Sequence, residues 1–306
     1  MSGMTRTLRN SGPDAFSGFH PVILLLYFCG VLFFGMFTLH PAVLGITFIS
    51  EFFYSVLLNG TRALKFNLFC MLPVTAAVAL LNPLFNHAGV TIIFYLNGNP
   101  VTWEAVTAGM VYALAFIAVI ITFSCFNRIM TSDRLMYLFG GLIPILSLIF
   151  SMTLRFVPRY KAQIKKIADA QKCIGMDPSQ GNLIRRVRNG VQILSILITW
   201  ALENAIESAD SMKARGFGLR GRTSFSIFSW RKRDWLLLTA ELAALAAALA
   251  GLIRGAFTSE YFPMIRIAGA SGATVLFYFA YALFCLLPVF VDLKESMVWN
   301  KLKSAG

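Results

Sequence analysis

Charge is what this sequence has least of. Lys, Arg, Asp and Glu together make up 13% of its 306 residues, against 57% hydrophobic residues and a mean hydropathy of +0.69. Soluble domains carry about 25% charge and about 45–50% apolar residues, so this balance excludes an ordinary soluble globule and makes the bilayer the natural solvent. Histidine is nearly absent: His20, His40 and His87 lie far apart and form no H-E-x-x-H helix, which speaks against a metal site or histidine catalysis. The five cysteines, Cys29, Cys70, Cys125, Cys173 and Cys285, make no C-x-x-C pair, and four sit in apolar runs. They read as small core residues, not as disulfides or metal ligands. Gly-x-Ser-x-Gly is missing as well. The start, Met1 to His20, is polar, and because the apolar run after it is long enough to span, that run is expected to stay as a span and not to act as a cleaved leader.

The apolar runs are Pro21–Leu39, Pro41–Leu58, Phe66–Leu81, Ala105–Phe126, Leu135–Leu154, Trp235–Ile253 and Ile267–Val291. A span needs about 20 residues. Leu135–Leu154 carries Gly140, Gly141 and Pro144 in its first half, which weaken or kink a helix. The net charge of +13 reads as a positive-inside signal, not as nucleic-acid binding. Residues 155–233 hold 16 of the 27 Lys and Arg, whereas Asn82–Glu104 holds none, so the first segment is expected in the cytoplasm and the second outside. With Leu135–Leu154 as a broken, in-plane apolar helix, six spans remain and both termini fall in the cytoplasm. An ordinary seventh span is the competing reading. The expected fold is an all-α integral membrane protein with about six transmembrane helices. Its organisation is expected to be N-terminal spans over 1–134, a cytoplasmic domain over 135–234, and C-terminal spans and tail over 235–306.

Within the cytoplasmic middle, one helix is expected from about Pro158 to Ile174, with Pro at its start and Gly175 as its stop. A turn-rich connection, Asp177–Asn182, follows. A second helix is expected over Leu183–Ala214, ending at Gly216. Ile184, Val187, Val191, Leu194, Ile198 and Leu202 recur along it at helical spacing. Ala201, Ala205 and Ala209 make a small-residue row suited to close helix packing. Glu203, Glu207 and Asp210 form a neighbouring acidic face, read either as solvated or as a polar contact with a partner. Gly216–Thr223 has the spacing of a phosphate loop, but it follows a helix end with no strand before it, so it fails as one. Glu241 is one acidic residue in an apolar run and makes no catalytic constellation. Gly269–Gly272 reads as small-residue packing inside the last span.

Several motifs agree in order. Ala209–Phe217 (ADSMKARGF), followed by Gly221-Arg222-Thr223, resembles the second Ala-Arg-Gly signature of the transmembrane T component of energy-coupling factor transporters, the EcfT/CbiQ-like family. Asn82–His87 with Phe94-Tyr95 resembles that family's external loop. Phe126–Asp133 resembles the segment before its first coupling helix, and Ser151–Arg159 resembles the entry to its cytoplasmic domain. The resemblance runs from about His20 to Val291. It implies a non-catalytic scaffold of an ABC-type uptake system with two long cytoplasmic coupling helices. Two separate cytoplasmic ATPase subunits would bind and hydrolyse ATP, and a small substrate-binding membrane protein would carry a vitamin or related micronutrient. This chain would bind no cofactor itself; its partners would be those subunits and the lipid bilayer. Ala214, Arg215 and Gly216 match the ATPase-coupling end of the second helix. At the first helix end the pattern departs: Lys172 and Gly175 keep it, but Cys173 stands at the Ala position and Ile174 at the Arg position. Unequal contacts with the two ATPase subunits are expected. The alternative function is a self-sufficient permease binding its own substrate, which needs a midplane cavity between paired broken helices. Only one broken helix and no inverted repeat are legible.

Overall fold

A computed structural model describes residues 15–96, 99–219, 228–269 and 271–304. The chain divides into two compact units, one of residues 1–134 and 228–306, the other of residues 135–227. It is an all-α membrane protein with two small β-hairpins added.

The first unit holds α1 (Pro21–Phe37), α2 (Pro41–Asn59), α3 (Thr61–Phe85), α4 (Trp103–Ile129), α8 (Lys232–Ile253) and α9 (Gly272–Ser304). Four helices among the described residues are long and apolar enough to cross a membrane: α2, α4, α8 and residues 272–298 of α9. Two shorter apolar helices join them, α1 and the Pro73–Phe85 half of α3. α1 and α2 begin alike. Proline occupies the first turn, where its missing N–H is no loss, and the preceding histidine caps the helix. His20 Nδ1 accepts from the Val22 N–H at 3.4 Å and His40 Nδ1 from the Ala42 N–H at 3.3 Å. The two histidines are thus helix boundaries. The core gathers Phe16, Tyr27, Phe28, Phe34, Tyr54, Tyr281 and Phe284, all fully buried.

One end of this unit collects both places where the chain leaves it and returns. The Phe16 N–H donates to Asp292 Oδ1 at 2.9 Å, joining the two terminal segments. The Arg134 guanidinium donates to the Ser17 carbonyl at 2.6 Å, and Arg233 donates to the Gly18 carbonyl at 2.8 Å. The segment between Arg134 and Arg233 therefore departs and comes back at the same end. None of its described helices is long and apolar enough to cross a membrane.

That segment forms the second unit. α5 (Ser132–Leu142) precedes Ile143, and α6 (Pro144–Cys173) follows. α7 spans Leu183–Ala214, the bounds expected from the turn-rich connection before it, its periodicity and its stop at Gly216. The break expected within Leu135–Leu154 falls at Ile143–Pro144, where Pro144 takes a first-turn position. A separate helix starting at Pro158 is not formed: α6 runs through Pro158. An interior proline removes one ladder hydrogen bond, and the turns on either side carry the helix past it. Asn82–Glu104 contains β1 (Ile92–Leu96) paired antiparallel with β2 (Asn99–Thr102). One further expectation is corrected: the last apolar run is not helical from Ile267, because β3 (Ser259–Glu260) pairs with β4 (Arg266–Ile267), and α9 begins only at Gly272, so Gly269 and Ser271 lie before the helix and not within it.

Arg134 closes the exit from the first unit through a charge-assisted bond to a backbone carbonyl. Such bonds contribute about 1.5–3 kcal/mol. Arg134→Met is expected to lower the thermal unfolding midpoint of the purified chain in detergent, and an unchanged midpoint would show that the contact carries no stability.

Candidate functional site

The second unit is an antiparallel pair of long helices. Its connection is a small hydrogen-bonded knot. The Asp177 carboxylate accepts from the Ser179 N–H at 2.9 Å and from the Ser179 hydroxyl at 2.7 Å. Those two bonds lower the Asp177 pKa. Their contribution is therefore present above the ordinary aspartate value of about 3.9 and is lost as pH falls through the lowered one. From α7, the Asn189 amide donates to the Asp177 carbonyl at 3.2 Å and Arg186 Nε donates to the Pro178 carbonyl at 3.1 Å. Asn182 caps α7 by accepting from the Leu183 N–H at 2.7 Å. Farther along, the Tyr160 ring meets Trp200 edge-on with centroids 5.7 Å apart. Arg159 lies over the Trp200 ring and donates to Asn204 Oδ1 at 2.8 Å.

The two helix ends close in the same way. At α6, the Gly175 N–H donates to the Lys172 carbonyl at 3.0 Å and the Met176 N–H to the Gln171 carbonyl at 2.9 Å. At α7, the Gly216 N–H donates to the Lys213 carbonyl and the Phe217 N–H to the Met212 carbonyl, both at 3.0 Å. This pair of bonds is the Schellman closure. The glycines have φ of +78° and +80°, a region that side-chain-bearing residues enter only at a cost of roughly 1–2 kcal/mol. The last residue before each glycine is also matched: Ile174 at φ −98°, ψ 14° and Arg215 at φ −85°, ψ 10°. α8 ends on the same two bonds around Gly255, so the motif by itself is a common way to stop a helix. What sets the α6 and α7 ends apart is their place at the tips of an exposed helix pair.

All the predicted interface residues fall on these tips. Lys172, Cys173, Ile174 and Gly175 are exposed at the end of α6; Ala214 and Arg215 are exposed and Gly216 half-buried at the end of α7. Lys172 corresponds in position to Lys213, so a lysine is common to both ends. The departure is confined to Cys173 against Ala214 and Ile174 against Arg215. The two ends are not brought together. Because the α6 end sits beside the start of α7, they are separated by the 32 residues of α7, roughly 48 Å at 1.5 Å per residue. Met176, the counterpart of Phe217, is a residue that sequence reasoning passed over; an apolar side chain just after the stop glycine is its signal. Met176 and Phe217 are both nearly half exposed.

α7 is two-faced. Asn189 and Ile193 are buried, and with Trp200 and Asn204 they mark the face turned to α6. The stripe Ile184, Val187, Val191, Leu194, Ile198 and Leu202 lies on the opposite side at about 100° per residue, and every member is at least half exposed. Glu203, Glu207 and Asp210 are exposed too. Chemically, these tips offer a guanidinium fork at one end, an apolar tip at the other, and an apolar flank between them.

Gly216→Ala is expected to loosen the last turn of α7 by about 1–2 kcal/mol, with Gly216→Asn milder because Asn tolerates positive φ. Faster amide exchange at position 216 and at Phe217 in the alanine variant is the readout; equal exchange in all three proteins would contradict the closure.

No family model matches the chain. Its curated relatives are energy-coupling factor transporter transmembrane proteins named EcfT. The one from Streptococcus equi subsp. equi is 28% identical over 203 residues, 62% of this chain and 72% of that protein. The one from Streptococcus thermophilus is 38% identical over 99 residues, 32% of this chain and 38% of that protein. EcfT 1 of Listeria monocytogenes is 37% identical over 107 residues, 33% of this chain and 40% of that protein. The chain therefore spans about two fifths or less of the length of most of these relatives, and nearly three quarters of the first. It is similar in sequence to the transmembrane proteins of energy-coupling factor transporters, the family that its motifs resemble.

Proposed function

We propose that this chain is the non-catalytic transmembrane scaffold of an energy-coupling factor uptake transporter. The Ala214–Gly216 tip of α7 and the Lys172–Gly175 tip of α6 each seat in a groove of one ATPase subunit. Those subunits bind and hydrolyse ATP. A small substrate-binding membrane protein carries a vitamin or related micronutrient, and the long helices pass the motion of the grooves toward it. The observation that carries this reading is the pair of identically closed, exposed helix tips held at opposite ends of one stiff helix pair.

The physics of coupling follows from that geometry. When the ATPase subunits close, each groove moves the tip it holds. α7 is a lever because its backbone ladder is continuous over all 32 residues. Arg215 gives its tip a planar, always-charged fork suited to a carboxylate, whereas Ile174 gives the α6 tip only apolar contact. Removing one partner of a buried, hydrogen-bonded charge pair costs about 2–5 kcal/mol, so the two contacts differ in strength. The sidedness is supported by the end that gathers Phe16, Asp292, Arg134 and Arg233: the segment rich in Lys and Arg leaves from that end, and the positive-inside rule favours the cytoplasm for it and for both termini.

Two measurements test this. Expressed with a pair of ATPase subunits and purified in mild detergent, the wild-type chain is expected to co-elute with them. Arg215→Glu is expected to abolish co-elution and Ile174→Asp to weaken it to a different extent. Equal losses would remove the asymmetry. No co-elution of a folded, monodisperse wild type would overturn the scaffold reading in favour of a permease acting alone. For sidedness, a single cysteine at Thr131 in a background free of native cysteines is expected to stay unlabelled by an impermeant thiol reagent added outside sealed cells; strong labelling would reverse the topology.

A further inference from the structure

The β1–β2 hairpin is rigidly based. The Thr91 N–H donates to both carboxylate oxygens of Glu104, at 3.2 and 3.3 Å, and the Thr91 hydroxyl donates to the same group. The Thr102 hydroxyl donates to the Ala88 carbonyl at 2.8 Å, and the Trp103 N–H to the Thr91 carbonyl at 2.9 Å. Gly89, at φ +141°, lets the chain pass this close: a Cβ there would stand 2.6 Å from Glu104 Oε2. Glu104 itself is buried in the first turn of α4, where an acid also suits the helix dipole. The hairpin thus projects from the start of α4 in a fixed direction.

Its surface is apolar on both faces. The pairing register shifts between Ile92 and Phe94; beyond the shift, Phe94 and Tyr95 are successive strand residues that point to opposite sides and are 51% and 66% exposed, and Ile92 and Ile93 are 48% and 50% exposed. A hairpin lying on the protein would bury one face along its length. Among its described residues, Val101 and Thr102 at the base are buried and Pro100 is half-buried, while Asn99 and Ile92–Tyr95 are exposed. Between Asn82 and Glu104 there is no Lys or Arg, and the single acid is the buried Glu104, so the exposed hairpin carries no formal charge. Phe85 at the end of α3 and Trp103 at the start of α4 are large exposed apolar residues as well.

We propose that the β1–β2 hairpin is a membrane-interface anchor, bedded in the headgroup layer of the leaflet where α3 ends and α4 begins. A docked protein would cover one face and leave the other in water, whereas a lipid interface surrounds both. Aromatic residues favour that layer. The depth is limited as well. A two-stranded ribbon leaves one edge of each strand unpaired, and such edges are excluded from hydrocarbon but are hydrated among headgroups. The anchor fixes the depth and tilt of α3 and α4, and it does so whether or not the helix tips bind ATPases.

The test uses the full chain in phosphatidylcholine nanodiscs, free of native cysteines, with a nitroxide at Phe94→Cys or Tyr95→Cys, one on each face. Collision with oxygen is expected to exceed collision with a water-soluble nickel chelate several-fold at both positions. The contrast is expected to be smaller than at Met110→Cys on α4 and opposite to that at Ser179→Cys in the α6–α7 connection. Nickel access at either hairpin face equal to that at Ser179→Cys would overturn the anchor. Loss of access to both reagents on adding partner subunits would overturn it in favour of protein docking. If the cysteine-free chain does not fold, the difference in fluorescence quenching between wild type and Trp103→Phe, read with lipids brominated near the headgroup and near the chain end, replaces it. Stronger quenching near the headgroup is expected, and none from either lipid would overturn the proposal.

Discussion

Every helix leaves four N–H groups at its start and four carbonyls at its end without partners inside the helix, and lipid supplies none. How each end is closed therefore decides what that part of the chain is able to do. Within the first unit, ends are closed from within the protein. His20 and His40 cap α1 and α2 ahead of a proline, Thr102 accepts from the Ala105 N–H, and Asp234 accepts from the Arg231 N–H. In the second unit, α6 and α7 close their C-terminal ends on their own backbone around Gly175 and Gly216, as α8 of the first unit does around Gly255. A self-closed end asks nothing of its side chains, so the residues there are left for contact with something else.

The same demand for internal partners shapes the core of the first unit. The Tyr27 hydroxyl lies 2.7 Å from Glu51 Oε1 and 2.9 Å from the Cys285 carbonyl, and Thr47 and Tyr281 share a hydrogen bond of 2.7 Å. These contacts join α1, α2 and α9 at single points deep in apolar packing. Hydrophobic contact alone tolerates sliding of one helix along another, whereas a buried hydroxyl has one place where its bonds are made. The aromatic rings around it, Phe16, Phe28 and Phe284, fill the remaining volume. Depth and register in this unit thus come from a few polar groups, and cohesion comes from the rings.

Which features are legible from residues alone follows from the range of the interactions involved. α7 is legible because the turn-rich segment before it, its stop at Gly216 and its apolar period are all local; its cap at Asn182 appears only in the structure. Pro144 is legible as a break, since a proline opening a helix is a local fact. Pro158 misleads because whether an interior proline ends a helix depends on the turns around it. The β1–β2 hairpin is missed although Asn97-Gly98, a dipeptide that favours tight hairpin turns, stands between Leu96 and Asn99. Four- and five-residue strands are hard to see in an apolar chain, and the tie to Glu104 spans 13 positions. At the tips, Arg215 is legible from its motif. Ile174 is placed opposite Arg215 by Lys172 and Gly175, which keep the motif around a changed residue; what only the structure adds is that the two backbones match in angle.

The α7 stripe bears on the proposed role in its own right. Six branched aliphatic residues, each at least half exposed, make a long apolar flank of the kind that soluble surfaces rarely leave bare and that marks an interaction site. The flank opposes the face that packs on α6, so closing the pair more tightly does not cover it. Ala201, Ala205 and Ala209 continue it toward Arg215 with small side chains, which permit close approach of another helix. A lever coupled only at its tip transmits motion poorly, because the rest of its length is free to bend. A lever whose flank also rests on an apolar partner moves that partner as a unit. Under the proposed scaffold role, the tip and the flank are therefore one device: Arg215 takes up the motion and the stripe delivers it.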